Sequence, residues 1–223
     1  MISMAAIPLQ RDIHYPESDG EPMAETEIHL DVTIDLIQGL RRRYRDVPDV
    51  YVVGDMFFYY VQGDPRAVVS PDVFLVRGVP KTPRRRVYKL WEEGEAPSLV
   101  IEVTSDSTSD EDTGKKKAIY ERLEVEEYFL FDPLGDYLKP PLQGYRLAEG
   151  RYRPIPVDPD GSLRSLVTGL ILRPEADSRL RMVDAETGEP ILSDSEIADR
   201  LEAAEAELAR LRRVAGGGSI PGG

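Results

Sequence analysis

A nearly continuous apolar run over residues 98–104 constrains the fold more than any other part of the sequence. Such a run is typical of a strand that is buried on both faces of a sheet. Its one charged residue is Glu102, and an unpaired carboxylate in a buried strand costs several kcal/mol. We therefore expect Glu102 to have a partner, which is a metal ion, a lysine or an arginine. Because side chains alternate along a strand, Glu102 and Thr104 should share one face.

The order of helical and strand-like segments around this run predicts the fold class. Residues 23–45 carry an apolar stripe at helical spacing, and a second helix is predicted over 110–124 after a polar loop. Residues 136–173 alternate short strands with proline and glycine turns, which indicates an antiparallel addition. The other strands are predicted at 50–53, 56–61, 73–76, 87–91, 98–104 and 127–131. The sequence thus predicts a mixed α/β (α+β) core with a central mixed β-sheet flanked by helices.

The length of the chain favours one domain with an appendage over two full domains. We expect the segments to be an N-terminal arm over 1–22, a folded domain over 23–175, a linker over 176–192, a C-terminal amphipathic helix over 193–214 and a disordered tail over 215–223.

The C-terminal helix carries an apolar seam with the 4, 3, 4, 3 spacing of a heptad pattern. Its members are Ile197, Leu201, Ala204, Leu208 and Leu211. The seam covers little more than two heptads. It therefore predicts either a short coiled coil that makes a homodimer or a terminal helix packed on its own domain.

Composition excludes several classes of protein. The chain has no cysteine, which removes disulfides, zinc ribbons and thiol catalysis, and its two histidines cannot form a three-histidine zinc site. No apolar run approaches the ~20 residues of a membrane span, and the N-terminus lacks the pattern of a secretory signal, so we expect a cytoplasmic protein. The serine-hydrolase elbow Gly-x-Ser-x-Gly and the phosphate-binding loop of nucleotide hydrolases are also absent from the sequence.

The formal net charge of −13 argues against a protein that coats nucleic acid without specificity, because such binding is mostly phosphate neutralisation. Local basic clusters nevertheless occur at residues 41–45, 81–89 and 115–117. Each cluster alone is most simply read as solvated surface. Three such clusters in one acidic chain keep an anionic substrate possible.

Two acidic residues could form a metal site. Asp72 directly precedes the strand at 73–76, where its side chain can reach across the end of a sheet toward Glu102. Carboxylate oxygens are the ligands that Mg²⁺ and Mn²⁺ prefer, and Mg²⁺ retains several waters. The alternative is that Asp72 caps a turn and Glu102 pairs with a lysine.

A lysine is predicted to join these acids from the second helix. Lys116 lies on one inward stripe with Ile119, Tyr120 and Leu123. Its neighbours Lys115 and Lys117 are rotated by about 100° toward solvent, so Lys116 is best placed to reach Glu102. Such a lysine can orient or deprotonate a water and offset charge on a phosphate. Asp112, one turn earlier, either orients Lys116 or favours the helix N-terminus, and we favour the second reading.

An ordered series of motifs resembles the Uma2 family of restriction-endonuclease-like proteins. The series comprises Ser70-Pro71-Asp72, residues 91–97, Glu102-Val103-Thr104-Ser105, Ser107-Thr108, the four-residue steps from Asp112 through Lys116 to Tyr120, residues 127–133 and residues 142–147. The resemblance extends over about residues 23–173. It implies a PD-(D/E)XK nuclease core, which places two acids on neighbouring strands around a divalent metal.

By this resemblance Asp72 is the first acid and Glu102 the second. The lysine of the superfamily would fall at Thr104, and in this family it comes from the following helix, which matches Lys116. A glutamate on the first helix often helps to bind metal in the superfamily. Glu27 or Glu25 is the candidate here, although solvated helix surface is the simpler role for both.

The sequence therefore favours an endonuclease that uses Mg²⁺ (or Mn²⁺) to hydrolyse DNA. Asp72, Glu102 and Lys116 are its expected catalytic residues, and Asp72, Glu102 and Glu27 are its expected metal ligands. Tyr120, Asp112 and His29 are the expected supporting residues. The alternative is a catalytically weak or inactive nuclease-fold protein that acts as a binding or regulatory module.

Overall fold

The computed structural model describes residues 13–18, 26–105 and 108–216. Most of the expected arm over 1–22, the tail beyond residue 216, Glu25 and Ser107 lie outside these ranges. Within these ranges lie four α-helices: α1 (Glu27–Arg43), α2 (Leu90–Glu93), α3 (Lys117–Arg122) and α4 (Asp194–Gly216). A π-helical segment, Glu111–Lys116, leads directly into α3. No helix in the described part of the chain is both long and apolar enough to cross a membrane.

The strands of the described residues form one large sheet and two small ones. They are β1 (Val50–Val53), β2 (Phe58–Tyr59), β3 (Val68–Val69), β4 (Val73–Arg77), β5 (Tyr88–Lys89), β6 (Leu99–Val103), β7 (Glu127–Phe131), β8 (Leu142–Ala148), β9 (Arg151–Pro154), β10 (Leu163–Arg164), β11 (Leu170–Pro174) and β12 (Leu180–Asp184). The central sheet has the order β1-β4-β6-β7-β8-β9, and the small sheets have the orders β3-β2-β5 and β10-β11-β12. Within the central sheet β6 and β7 pair in parallel, whereas its other pairs are antiparallel. The predicted mixed sheet is confirmed.

The central sheet is covered on both faces, as the apolar run at 98–104 predicts. On one face, side chains such as Leu99, Ile101 and Val103 pack with α1 and with the β10-β11-β12 sheet. On the other face, Val100 packs with α3 and the β2 region. Glu102 follows the alternation of Val100, so its carboxylate lies on the α3 face.

The first helix is positioned by its cap and its buried stripe. The side chain of Thr26 accepts a hydrogen bond from the backbone N–H of His29 and caps α1, which begins four residues later than the sequence predicts. Val32, Leu36 and Leu40 are buried against the sheet. This packing holds His29 near one end of the sheet and the basic last turn of α1 near the other.

The predicted linker over 176–192 contains strand β12, which pairs with β11 along its whole length. Leu180 and Met182 are buried in the main core beneath α1. The C-terminal helix is tied to this strand, because Arg181 forms an ion pair with Glu196 at 2.7 Å. Segment 176–192 thus belongs to the folded core.

Candidate active site

Asp72 and Glu102 meet across the antiparallel pair of β4 and β6. Val73 lies opposite Ile101 in the register, so the next position along places Asp72 opposite Glu102. The backbone N–H of Asp72 donates to Glu102 Oε2 at 3.2 Å. The backbone N–H of Val103 donates to Asp72 Oδ2 at 2.7 Å. Backbone groups therefore hold both carboxylates at one end of the sheet, as the sequence predicts.

Glu102 is fully buried. The hydroxyl of Tyr120 donates to its Oε1 at 2.8 Å, and Lys116 Nζ lies 3.2 Å from its Oε2. Burial raises the pKa of Glu102 well above its ordinary value, and the nearby charges of Asp72 and Asp112 raise it further, against the opposing effects of Lys116 and Tyr120. The site thus concentrates more negative charge than its one lysine balances. This excess would favour a bound cation.

Lys116 comes from the π-helical segment and is mostly buried. Its Nζ contacts both Glu102 and Asp112 Oδ1, the latter at 2.9 Å. Burial alone would lower the pKa of Lys116, but the two carboxylates outweigh burial and raise the pKa above its ordinary value. The ammonium group is therefore charged at neutral pH. It can orient a water or stabilise negative charge, and it is poorly suited to accept a proton.

Asp112 is buried and touches Lys116, whereas the sequence analysis favoured a role at the helix N-terminus. The four-residue spacing brings the two side chains together along the segment that leads into α3. Burial also raises the pKa of Asp112. The structure therefore corresponds to the other reading, in which Asp112 orients Lys116.

Tyr128 is a contributor that the sequence analysis missed. Its hydroxyl donates to the backbone carbonyl of Asp112 at 2.9 Å, and its ring lies 5.1 Å from the ring of Tyr120. The available signal was a tyrosine in an otherwise apolar strand, because a buried tyrosine hydroxyl needs a hydrogen-bond partner. Tyr128 thus fixes the backbone of the segment that carries Lys116.

The first helix contributes His29, whose Nε2 lies 3.4 Å from Asp72 Oδ2. Glu27 is exposed in the first turn of α1. Residues two apart on an α-helix are rotated by about 200°, so the burial of His29 turns Glu27 away from the sheet. The structure brings together Asp72, Glu102, Lys116, Tyr120, Asp112 and His29, and it leaves Glu27 outside this group.

The donor set fits a magnesium-type ion. Among the described residues, no three acidic or histidine side chains converge in a ready-made metal cage. Mg²⁺ is usually bound by one or two carboxylates together with waters and substrate phosphates. Asp72 and Glu102 supply two such carboxylates at one end of the sheet, where Asp72 is partly exposed.

Comparison with known proteins identifies the family. A family model, Uma2, with the description "Putative restriction endonuclease", matches residues 3–175. The chain belongs to the Uma2 family. No curated protein matches this Uma2 chain. A crystal structure described as a putative nuclease from Anabaena variabilis is similar, with a TM-score of 0.47 and 14% identity over 68% of this chain and 81% of the other.

Proposed function

We propose that this Uma2 protein is a divalent-metal-dependent endonuclease that hydrolyses phosphodiester bonds of DNA. One observation carries the proposal: the fully buried Glu102 lies between the partly exposed Asp72 and the charged Lys116 at one end of the sheet. Membership of a nuclease family supports the same reaction class. We further propose a cytoplasmic location, which rests on the proposed DNA substrate.

Asp72 and Glu102 are the proposed ligands of Mg²⁺ or Mn²⁺. When bound, the ion supplies Lewis acidity and neutralises charge on the phosphate. Lys116 then orients the attacking water and stabilises negative charge that develops on the phosphate oxygens. Since the pKa of Lys116 is raised, its contribution is electrostatic, and another group must take the proton from water.

The surrounding residues are proposed to position this machinery. Asp112 and Glu102 hold the ammonium group of Lys116 from two sides. Tyr120 holds one oxygen of Glu102, and His29 lies beside the outer carboxylate of Asp72. Glu27 stays a weak candidate ligand, because the face of α1 that carries it is exposed.

The second candidate function is a binding or regulatory module built on the nuclease fold. The net charge of −13 favours it, because an acidic chain gains little from general attraction to DNA. This alternative predicts a folded protein that binds metal or DNA and does not cleave.

A nuclease assay separates the two functions. Supercoiled, linear and single-stranded DNA are incubated with the protein in Mg²⁺ and in Mn²⁺, with Lys116→Gln and Glu102→Gln prepared alongside. Removal of one preorganised electrostatic group costs about 10²–10³ in rate, so both variants should lose cleavage by at least that factor. The matched control is Lys115→Gln, because Lys115 is exposed and pairs with Glu111. It should cleave like the wild type.

Wild-type protein that is folded and binds metal but cleaves no substrate would overturn the endonuclease proposal in favour of the second function. Cleavage that survives in Lys116→Gln and Glu102→Gln would instead overturn the assignment of the site.

We also propose that α4 forms a parallel homodimer. Its side chains from Ile197 to Arg213 are exposed, and Leu201 retains 59% exposure. When the apolar seam occupies the a and d positions of a coiled coil, a parallel partner brings Arg200 opposite Glu205 and Glu207 opposite Arg212. Both flanking pairs are opposite in charge, so a second copy of this helix is the occupant that fits.

Light scattering at micromolar concentration tests the dimer. The double variant Leu201→Asp and Leu208→Asp, and the chain without residues 193–223, should both be monomers. Ala206 lies on the opposite side of α4 from the seam, so Ala206→Asp should stay dimeric. A monomeric wild type would overturn this proposal and leave the endonuclease proposal untouched.

A further inference from the structure

A basic cleft of about 510 Å³ runs along β1, the edge strand of the central sheet. The described residues that line it include five basic side chains and no acidic one. The basic residues are Arg41, Arg45, Lys81, Arg84 and Arg85. They come from two of the clusters noted in the sequence, which are separated by about 40 residues there and are brought together by the fold. We call this feature the basic cleft.

Specific contacts build the basic cleft. Lys81 Nζ donates to the backbone carbonyls of Tyr44 and Arg45, at the C-terminal end of α1. A cation at these carbonyls is favourable because they have no partner within the helix. Arg41 Nε donates to the carbonyl of Val52 at 3.1 Å and so attaches α1 to the edge strand. The two clusters therefore form one fixed surface.

Most of the charge in the basic cleft is not neutralised by the protein. Arg85 forms a two-point ion pair with Glu93 and lies over the ring of Tyr51 at 4.5 Å. Among the described residues, no carboxylate forms an ion pair with Arg41, Arg45, Lys81 or Arg84. The arginines of the two clusters that do form ion pairs are Arg42, Arg43, Arg85 and Arg86. Four uncompensated positive charges therefore face one cleft on a chain whose net charge is −13.

The basic cleft leads toward the candidate active site. Val53 and Met56 line one end of it. Gly54, between them, packs so closely on the backbone of Asp72 that a Cβ there would lie 1.9 Å from the Asp72 carbonyl oxygen. The other end lies near the last turn of α1, about 18 Å along the helix from His29. A strand with several phosphates can therefore contact the cleft and the site together.

We propose that the basic cleft binds the phosphodiester backbone of the nucleic acid beside the bond that is cut. This inference rests on the proposed endonuclease function and adds the place where the substrate is held. Guanidinium groups suit this role because their planar donors match phosphate oxygens. Contacts of this kind position a strand without reading its sequence. A competing role for the same charges is to prevent the edge strand β1 from pairing with another sheet.

Binding measured without cleavage tests the basic cleft. Fluorescence anisotropy with labelled single-stranded and duplex DNA is recorded in EDTA at several salt concentrations. The test variant is Arg45→Ala with Arg84→Ala, because both side chains are exposed. Its Kd should rise roughly tenfold, and the slope of log K against log salt should become shallower by about 1.4–1.8 for the two lost phosphate contacts.

The matched control removes two exposed arginines that do not line the basic cleft, Arg153 on β9 and Arg164 on β10. This Arg153→Ala and Arg164→Ala variant changes the net charge equally and should bind like the wild type, with the same salt slope. Equal weakening in both double variants would overturn the proposal, because net charge would then explain binding. Unchanged affinity in the Arg45→Ala and Arg84→Ala double variant would also overturn it. This holds even if that variant aggregates through the edge strand β1, as the competing role of these charges predicts.

Cleavage in Mg²⁺ is recorded separately for the same proteins. Binding that depends on the basic cleft, without any cleavage, supports the proposed role of the cleft and contradicts the proposed endonuclease function. If the wild type cleaves DNA and the Arg45→Ala and Arg84→Ala variant binds DNA as the wild type does, the proposed role of the basic cleft is contradicted. The proposed endonuclease function is then unaffected.

Discussion

Two glutamates are completely buried on neighbouring strands of the central sheet, and their surroundings differ. Glu127 on β7 accepts from Arg146, from the hydroxyl of Ser165 and from the backbone N–H groups of the two residues that follow Ser165. Glu102 on β6 receives one tyrosine hydroxyl, one lysine and one backbone N–H, and two other carboxylates lie nearby. The donors around Glu127 satisfy its negative charge, whereas burial and the two nearby carboxylates disfavour a negative charge on Glu102.

This difference separates a structural carboxylate from a candidate functional one. Glu127 links β7 and β8 to the segment before β11, so its charge holds the central sheet and a small sheet together. Glu102 also contacts other elements, through Asp72, Lys116 and Tyr120, but its pKa is raised well above the ordinary value because it is buried and lies near other acids. A buried acid that the protein does not neutralise is a better candidate for a metal ligand. Burial alone does not distinguish the two residues.

The largest expected effect on stability is that of Glu127→Ala. This change leaves the Arg146 guanidinium, the Ser165 hydroxyl and two backbone N–H groups without their acceptor. Loss of one partner of a buried ion pair costs about 3–5 kcal/mol, so the free energy of unfolding in urea should fall by that amount. The neighbouring Glu126 is half-exposed and pairs with Arg77, so Glu126→Ala should change stability by less than about 1 kcal/mol.

Glu102→Gln gives the other half of this comparison. In the absence of divalent metal it should stay within about 1 kcal/mol of the wild type, because Lys116 keeps its ion pair with Asp112. If the Glu102 variant unfolds as easily as Glu127→Ala, then both glutamates are structural and the two do not differ in role.

The sequence allowed the central sheet, and the proximity of most candidate site residues, to be predicted. The strands at 50–53 and 127–131 are short apolar runs bounded by turns, and the structure has them at these positions. Glu102 was identifiable because it is the only charge in the buried run. Lys116 was identifiable because it shares a helical stripe with Tyr120, and that stripe persists although the segment is π-helical.

Other features depend on contacts between distant parts of the chain. Strand β12 has three apolar residues, Leu180, Met182 and Val183, beside the charged Arg181 and Asp184. Its pairing with β11 and its packing under α1 bury it. Asp112 looks like an ordinary acid near a helix start, and its burial against Lys116 depends on Tyr128 from a separate strand. The basic cleft joins two clusters that are far apart in sequence.

After the loss expected for Glu127→Ala, the next largest expected change in stability is the gain when a divalent metal is added. If Mg²⁺ or Mn²⁺ binds the folded protein, stability rises by about 2.7 kcal/mol when the free ion is present at 100 times its Kd. Thermal unfolding should show this gain in the wild type and in Glu127→Gln, whose site acids are intact. The gain should disappear in Glu102→Gln and in Asp72→Asn. A metal response that is unchanged when both site acids are replaced together would show that the ion binds elsewhere.

A smaller effect on metal binding is expected from removing the hydroxyl that supports Glu102. Tyr120→Phe leaves Glu102 Oε1 without its 2.8 Å donor inside the core, which should cost about 1–3 kcal/mol of stability. It should also weaken Mn²⁺ binding by up to about tenfold, because supporting partners orient metal ligands. Isothermal titration calorimetry with Mn²⁺ measures this change.

Tyr128→Phe is a close control, since its ring is adjacent and its lost hydrogen bond is also buried. That bond ends on the backbone carbonyl of Asp112 and not on a proposed ligand. We therefore expect Tyr128→Phe to lose a similar amount of stability and to keep its affinity for Mn²⁺. Equal weakening of Mn²⁺ binding in the two variants would mean that general loosening of the core is responsible. Weakening confined to Tyr120→Phe would mean that the orientation of Glu102 itself determines affinity.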